Sequence, residues 1–217
     1  MRSKRPPATE PRQRRDGALR RRAILDAALR CFSRSSVLAV GIEDIRREAG
    51  ASPSSVYHLF EDKEAIMLAL LVEVFDALFE HCARRVCATE AAEQAVKTLV
   101  DSHIEWISTH AAEGRFMYQA TSLDGAGLGA SARRTLVESK ARGLAPIVDH
   151  LAPMMARREL PPWPVALFDV VVLGPAHEAL RRWLSGASEL DPTMLRELLP
   201  TVAWQSVRDV WVRSTTA

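Results

Sequence analysis

From about Ala18 onward the apolar positions recur at intervals of three and four residues, which predicts an all-α chain of about nine helices. Ile24, Ala27, Ala28, Cys31 and Phe32 share one face of a first helix that Ser35-Ser36 ends. Ile42, Ile45 and Ala49 mark a short second helix entered through Gly41, a residue tolerated at an N-cap although it supplies no side-chain acceptor. The pattern then breaks and restarts within three residues, in AGASPSSVYHLF. Gly50 suits the left-handed conformation that ends a helix. Ser52 can accept from the next turn's free amides, and Pro53 suits the first helical position. Helix, tight corner and helix of this size form a helix-turn-helix, whose second helix can enter a DNA major groove while the first crosses the backbone. Two short helices at an angle also occur in purely structural bundles, so this pattern alone leaves both readings open.

Further along, Lys63 to Ala88 reads as a long fourth helix capped by Asp62, with Ile66, Leu70, Val74 and Leu78 along one side. Helical stretches follow at about 90–110, 115–122 and 130–151, the last two separated by DGAGLG. That loop is not read as a dinucleotide fingerprint, because no strand precedes it and the third glycine is missing. An eighth helix, VALFDVVVLGPAHEALRRWLSG, contains Gly174-Pro175, where a kink is expected because proline removes an amide and crowds the preceding turn. Asp191-Pro192 opens a ninth, with Leu195, Leu198, Leu199 and Val202 on one stripe and Ala203, Val207 and Val210 continuing it. The resulting division is a disordered basic arm at 1–17, a helix-turn-helix domain at 18–78 whose connector helix begins near 63, and a larger domain at 79–217.

Charge changes this picture at one end. The chain of 217 residues has a formal net charge of only +2, yet Arg2, Lys4, Arg5, Arg12, Arg14, Arg15 and Arg20–Arg22 face only Glu10 and Asp16. A basic arm on a near-neutral body points to an anionic polymer or surface. MRSKRPP is followed by no apolar stretch, so it is not a secretory signal. The longest apolar runs contain Glu73 and Asp169 and are too short to span a bilayer; a cytoplasmic protein without membrane partners is expected. Cys31, Cys82 and Cys87 lack Cys-x-x-Cys spacing and read as buried reduced thiols. His103 and His110 lie seven apart without a zinc motif, so no metal and no cofactor are assigned. No Gly-x-Ser-x-Gly, His-Glu-x-x-His or P-loop is present, and no catalytic residue is assigned.

The residues after the corner carry a resemblance. Phe32, Ile45, Ala49-Gly50, Ser52, Tyr57, Phe60 and Lys63-Glu64 stand at the spacings of the DNA-binding domain of TetR-family transcriptional regulators, which the segment from Arg20 to Leu71 resembles. The resemblance implies that Pro53, Ser54, Ser55 and His58 face bases or phosphates and that Tyr57 and Lys63 hold phosphates. Amides at the start of the second helix, around Gly41-Ile42, offer a further anion site. This chain departs from the family at Gly41, where Thr or Ser is usual, at Arg46 in place of a small residue, and at Leu59 in place of a common His. The resemblance further implies a homodimer through the two C-terminal helices, a palindromic double-stranded DNA operator, and repression relieved by a small effector.

Strong base readout uses Arg or Lys on guanine and Asn or Gln on adenine. The recognition helix has none of these, and the chain has no Asn. Direct readout is therefore expected to be modest, with arm arginines in a neighbouring minor groove and DNA shape supplying part of the specificity. For an apolar or amphipathic effector, His103, Trp106, Phe116, Met117, Tyr118, Phe168 and His177 are the candidate lining, although aromatic and Met residues at helical spacing are most often ordinary core. An all-helical interaction or small-molecule-binding protein without DNA function is the alternative.

Overall fold

The computed structural model describes residues 10–122, 128–187 and 189–215, and among them the regular structure is helical throughout. The helices are α1 (Glu10–Arg34), α2 (Ile42–Glu48), α3 (Pro53–Leu59), α4 (Lys63–Val86), α5 (Ala92–Thr109), α6 (Ala111–Ser122) and α7 (Ala130–Ala156). Then comes α8, built of three consecutive stretches (Val165–Phe168, the π-helical Asp169–Leu173, and Gly174–Leu184), and finally α9 (Pro192–Thr215). Helix α1 begins at Glu10, upstream of the expected Ala18, so part of the basic segment expected to lack structure is helical; residues 1–9 lie outside the described ones. The sequence DGAGLG falls mostly outside them as well.

The first three helices close on one end of a continuous apolar core. Ile24, Leu25, Ala28 and Phe32 of α1 are buried with Ile45 of α2, Val56 of α3 and Phe60 just after it, against Ile66 and Leu70 of α4. Helices as short as α2 and α3 do not stand alone in water, so this shared apolar face is what holds them. Further along the chain α7 lies along α4, while α9 lies along α5 and α4 pairs with α5. Helix α6 touches α1, α4, α5 and the last stretch of α8. Its Gly114 permits that closeness: a Cβ there would come within 3.0 Å of Ile107 Cγ2 and 3.4 Å of Leu184 Cδ1.

Three differences from the sequence reading have local causes. The kink expected at Gly174-Pro175 is spread over the preceding five residues, where the Gly174 amide donates to the carbonyl of Asp169. Widening the turn ahead of Pro175 relieves the clash its ring would make with the carbonyl four residues back. Helix α7 runs on through Pro153 to Ala156, beyond the expected end at Leu151. Of the three thiols, Cys82 is buried and pushed up to about 12 by that burial, but Cys31 is half-buried and Cys87 is exposed. The exposure of Cys87 follows from α4 ending at Val86, so that Cys87 is a cap rather than a helix-face position.

Candidate DNA-contacting surface and interior polar cluster

The corner between α2 and α3 is built by backbone chemistry. Gly50 stands at φ +60°, and the amide of Ala51 donates back to the carbonyl of Arg46. Arg46 ties the same turn, donating to Glu43 Oε2 at 2.8 Å and to the carbonyl of Ala51 at 3.0 Å. The residue that departs from the family pattern thus fastens the corner. Ser52 caps α3 by accepting from the Ser55 amide, and Pro53 holds the first helical position. At α2 the missing cap hydroxyl is replaced from the other direction: the Gly41 amide donates to Asp44 Oδ2 at 2.9 Å.

With Val56 and Phe60 sunk in the core, α3 turns Ser52, Pro53, Ser54, Tyr57 and His58 to solvent, and Ser55 is half-buried. Tyr57 is 52% exposed, a large share for an aromatic ring at a helix surface. Gly41 and Ile42, at the start of α2, are half-buried. Lys63 is engaged within the domain: its ammonium donates to the carbonyls of Val37 and Val40 at 3.2 and 3.0 Å, pinning the loop between α1 and α2. On the arm side, Arg21 and Arg22 reach Glu73 of α4 at 2.8 and 3.2 Å.

Helices α5, α6 and α8 gather three of the candidate effector residues into one polar line. His103 Nε2 and Tyr118 Oη are 3.1 Å apart, Tyr118 Oη and His177 Nδ1 are 3.1 Å apart, and His177 Nε2 lies 3.5 Å from Asp169 Oδ1. Asp169 belongs to the π-helical stretch of α8 and gives no signal in the sequence, where it is only a charge in an apolar run. Burial, with the neighbouring His177, holds His103 well below the ordinary imidazole range, so it is neutral. Burial and the Asp169 carboxylate raise the Tyr118 phenol. Burial works against the charge of Asp169, but the hydrogen bond from His177 and the neighbouring His177 and Lys140 outweigh it and lower its pKa. Trp106, Met117 and Phe168 are buried core, as is Phe116, which stacks on Phe32 of α1 at 5.2 Å between ring centroids and 15° between planes.

A second charged group spans three helices. Arg85 of α4 and Arg196 of α9 both clamp Asp101 and Glu105 of α5, at 2.6 to 3.1 Å, and His81 adds a contact to Glu105 at 3.1 Å. Burial works against the charge of Asp101, yet the two guanidiniums hold it below the usual carboxylate range. None of the five stands out in sequence, because 91 and 95 residues separate the partners that meet across α5 and α9. Among the described residues no His, Cys, Asp and Glu cluster suited to a metal ion occurs. No described helix is long and apolar enough to cross a membrane.

Comparison with known proteins agrees with this geometry. Residues 24–70 match the family profile described as bacterial regulatory proteins, tetR family. The HTH-type transcriptional regulator BetI of Rhizobium meliloti (strain 1021) is 32% identical over 82 residues, covering 38% of this chain and 40% of that protein; BetI of Agrobacterium fabrum is 44% identical over 50 residues, covering 23% and 24%. This chain therefore matches at most about two fifths of the length of these curated relatives. Among solved structures, a TetR family transcription regulator from Marinobacter aquaeolei VT8 superposes with a TM-score of 0.71 at 21% identity, covering 90% of this chain and 98% of that one. The transcriptional regulator FadR from Bacillus subtilis, in complex with stearoyl-CoA, superposes with a TM-score of 0.68 at 18% identity, covering 85% and 98%. Residues 24–70 thus carry the sequence pattern of the tetR family of bacterial regulatory proteins, and the fold over nearly the whole length is that of solved TetR-family regulators.

Proposed function

We propose that this chain is a DNA-binding transcriptional regulator, acting as a homodimeric repressor on a palindromic operator and released by a small apolar or amphipathic effector. The observation that carries the reading is the outward face of α3, where Ser52, Pro53, Ser54, Tyr57 and His58 stand clear of the core that holds Val56 and Phe60. Ser54, Ser55 and His58 can donate to or accept from base edges and phosphates, and the Tyr57 hydroxyl suits a phosphate. Lys63 would add charge at the same edge on exchanging a loop carbonyl for a phosphate, with the start of α2 at Gly41-Ile42 beside it.

One recognition helix of seven residues reads few base pairs, which favours two copies on half-sites one helical turn (~34–36 Å) apart. The homodimer reading is supported by apolar side chains left outside on the two C-terminal helices: Val165, Leu167 and Val170 of α8 and Met194 and Leu198 of α9 are between 42% and 65% exposed. The release mechanism rests on α6. Its Tyr118 belongs to the interior polar line, its Phe116 stacks on α1, and the Oε1 of its Gln119 accepts from the Val37 amide at 3.3 Å. An effector that shifts Tyr118 thereby pulls on the loop and helix that seat α3, changing the separation of the two recognition helices.

Selection of bound duplexes from a random pool tests this reading. Recovery of an inverted repeat, with affinity falling steeply in added salt, is the expected result. Failure to retain duplex DNA at low salt would overturn it in favour of an all-helical interaction protein.

A further inference from the structure

Packing fastens α3 at one end only. Val56, Leu59 and Phe60 hold its inner face and last turn, while Pro53, Ser54 and Ser55 in its first turn put no buried side chain into the core. The direction in which α3 sets out is therefore fixed at the corner, and there Arg46 supplies the hold. Its carbonyl accepts from the Ala51 amide at 3.1 Å and its guanidinium donates to the Ala51 carbonyl at 3.0 Å, so both backbone polar atoms of Ala51 close on one residue. The same guanidinium donates to Glu43 Oε2 at 2.8 Å, in the first turn of α2. Because the peptide group is planar, holding the Ala51 carbonyl also orients the Ser52 amide and the α3 cap that follows. Helix α2 is in turn tied to α1, where Glu48 takes Arg30 at 2.6 Å and Arg34 at 3.1 Å. Polar contacts thus run from α1 through α2 to the entry of α3.

We infer that Arg46 is a positioning residue for operator recognition, whose fork from Glu43 to Ala51 fixes the direction of α3 without itself touching DNA. This rests on the reading of the outward face of α3 as the DNA-contacting surface. The side chain is laid against the corner: it is 25% exposed, whereas that of Arg47 beside it, paired with Asp44, is 67% exposed. A planar guanidinium offers donors on separate edges and so reaches a carboxylate and a carbonyl together, which a lysine ammonium on a flexible stem does not reproduce. Glu43 balances the charge where it stands. Hydrogen bonds to base edges weaken steeply with angle, so a tilt of α3 removes them before it removes the attraction between the domain and the phosphates, which carries no sequence information.

The test uses the full chain with a duplex recovered by selection and a random-sequence duplex of the same length. Arg46→Ala and Arg46→Lys are each expected to weaken binding to the selected duplex by about tenfold, on the order of one lost base contact, while the random duplex is held as by the wild type. The salt slope should stay as it is, because no phosphate contact is lost. Glu43→Ala separates the fork from the charge. It removes a carboxylate that is 52% exposed and leaves Arg46 in place, so an electrostatic role predicts tighter binding and a positioning role predicts weaker binding to the selected duplex alone. Thermal unfolding confirms that each variant is folded at the assay temperature, and should Arg46→Ala not be, Arg46→Lys and Glu43→Ala decide. Full rescue by Arg46→Lys, tighter binding by Glu43→Ala, or a slope lowered by about 0.9 in Arg46→Ala overturns the inference. A wild-type chain that retains neither duplex overturns the reading of α3 itself, whereas wild-type binding that the three substitutions leave unaltered overturns only the role of Arg46.

Discussion

If α6 carries the signal between domains, the ring stack of Phe32 on Phe116 is a place to cut it. Both rings are fully buried, and the 5.2 Å centroid separation with 15° between planes is an offset stack. Phe32→Leu and Phe116→Leu each keep the site apolar and are expected to cost about 1–3 kcal/mol. Beyond the buried area removed, a stacked aromatic pair contributes about 0.5–1.5 kcal/mol, which should appear as the coupling energy in a double-mutant cycle. That is a large share of a typical allosteric coupling of about 1–3 kcal/mol. Urea unfolding of the four chains at one protein concentration measures the coupling. Operator titrations with and without effector measure the consequence: the double variant should hold DNA through its intact α3 yet respond weakly to effector. Additivity within about 0.3 kcal/mol, or an unchanged effector response, would refute the reasoning.

Replacing Gly50 by Ala forces a side chain into φ +60° and should lower stability by about 1 kcal/mol or slightly more, read as a drop in Tm with the α3 surface residues unchanged. His103 has a folded pKa below its ordinary 6.5, so above that value both folded and unfolded chains hold it neutral and it adds no pH dependence. As pH falls below 6.5 the unfolded chain takes up a proton that the folded chain refuses, and stability should drop by up to about 1.4 kcal/mol per pH unit; His103→Gln should remove that slope in denaturation series at pH 7.5 and 5.5. Deleting residues 1–17 should lower operator affinity and flatten its salt dependence by about 0.9 in log–log slope for each phosphate the arm neutralises in the full chain; an unchanged slope removes the arm from recognition.

The helix-turn-helix was legible because its determinants are local. Gly50, Ser52, Pro53 and Asp62 act within four residues of themselves, and the corner and both caps stand where those residues put them. The stripes of α1 and α4 were legible because one face is buried from Ile24 to Phe32 in α1 and along most of α4. The stripe of α9 was legible only in part: Leu195, Ala203 and Val207 turn inward while Leu198 turns out, and the apolar pattern by itself does not distinguish a core from a surface meant for another chain. What the sequence hides depends on distant partners. The clamp of Arg85 and Arg196 on Asp101 and Glu105, and the entry of Asp169 into the polar line, arise only when helices remote in sequence come together. His103, Tyr118 and His177 stand out in sequence as polar points among apolar residues, but nothing in their spacing announces that one phenol bridges two imidazoles.

Helix α3 is seated by the buried Val56, the half-buried Leu59 and, just past its end, the buried Phe60. A segment of two turns takes its tilt from what it packs on, chiefly α1. Variation in those supporting positions is therefore a route by which the direction of α3 could drift while every residue on its outward face is kept.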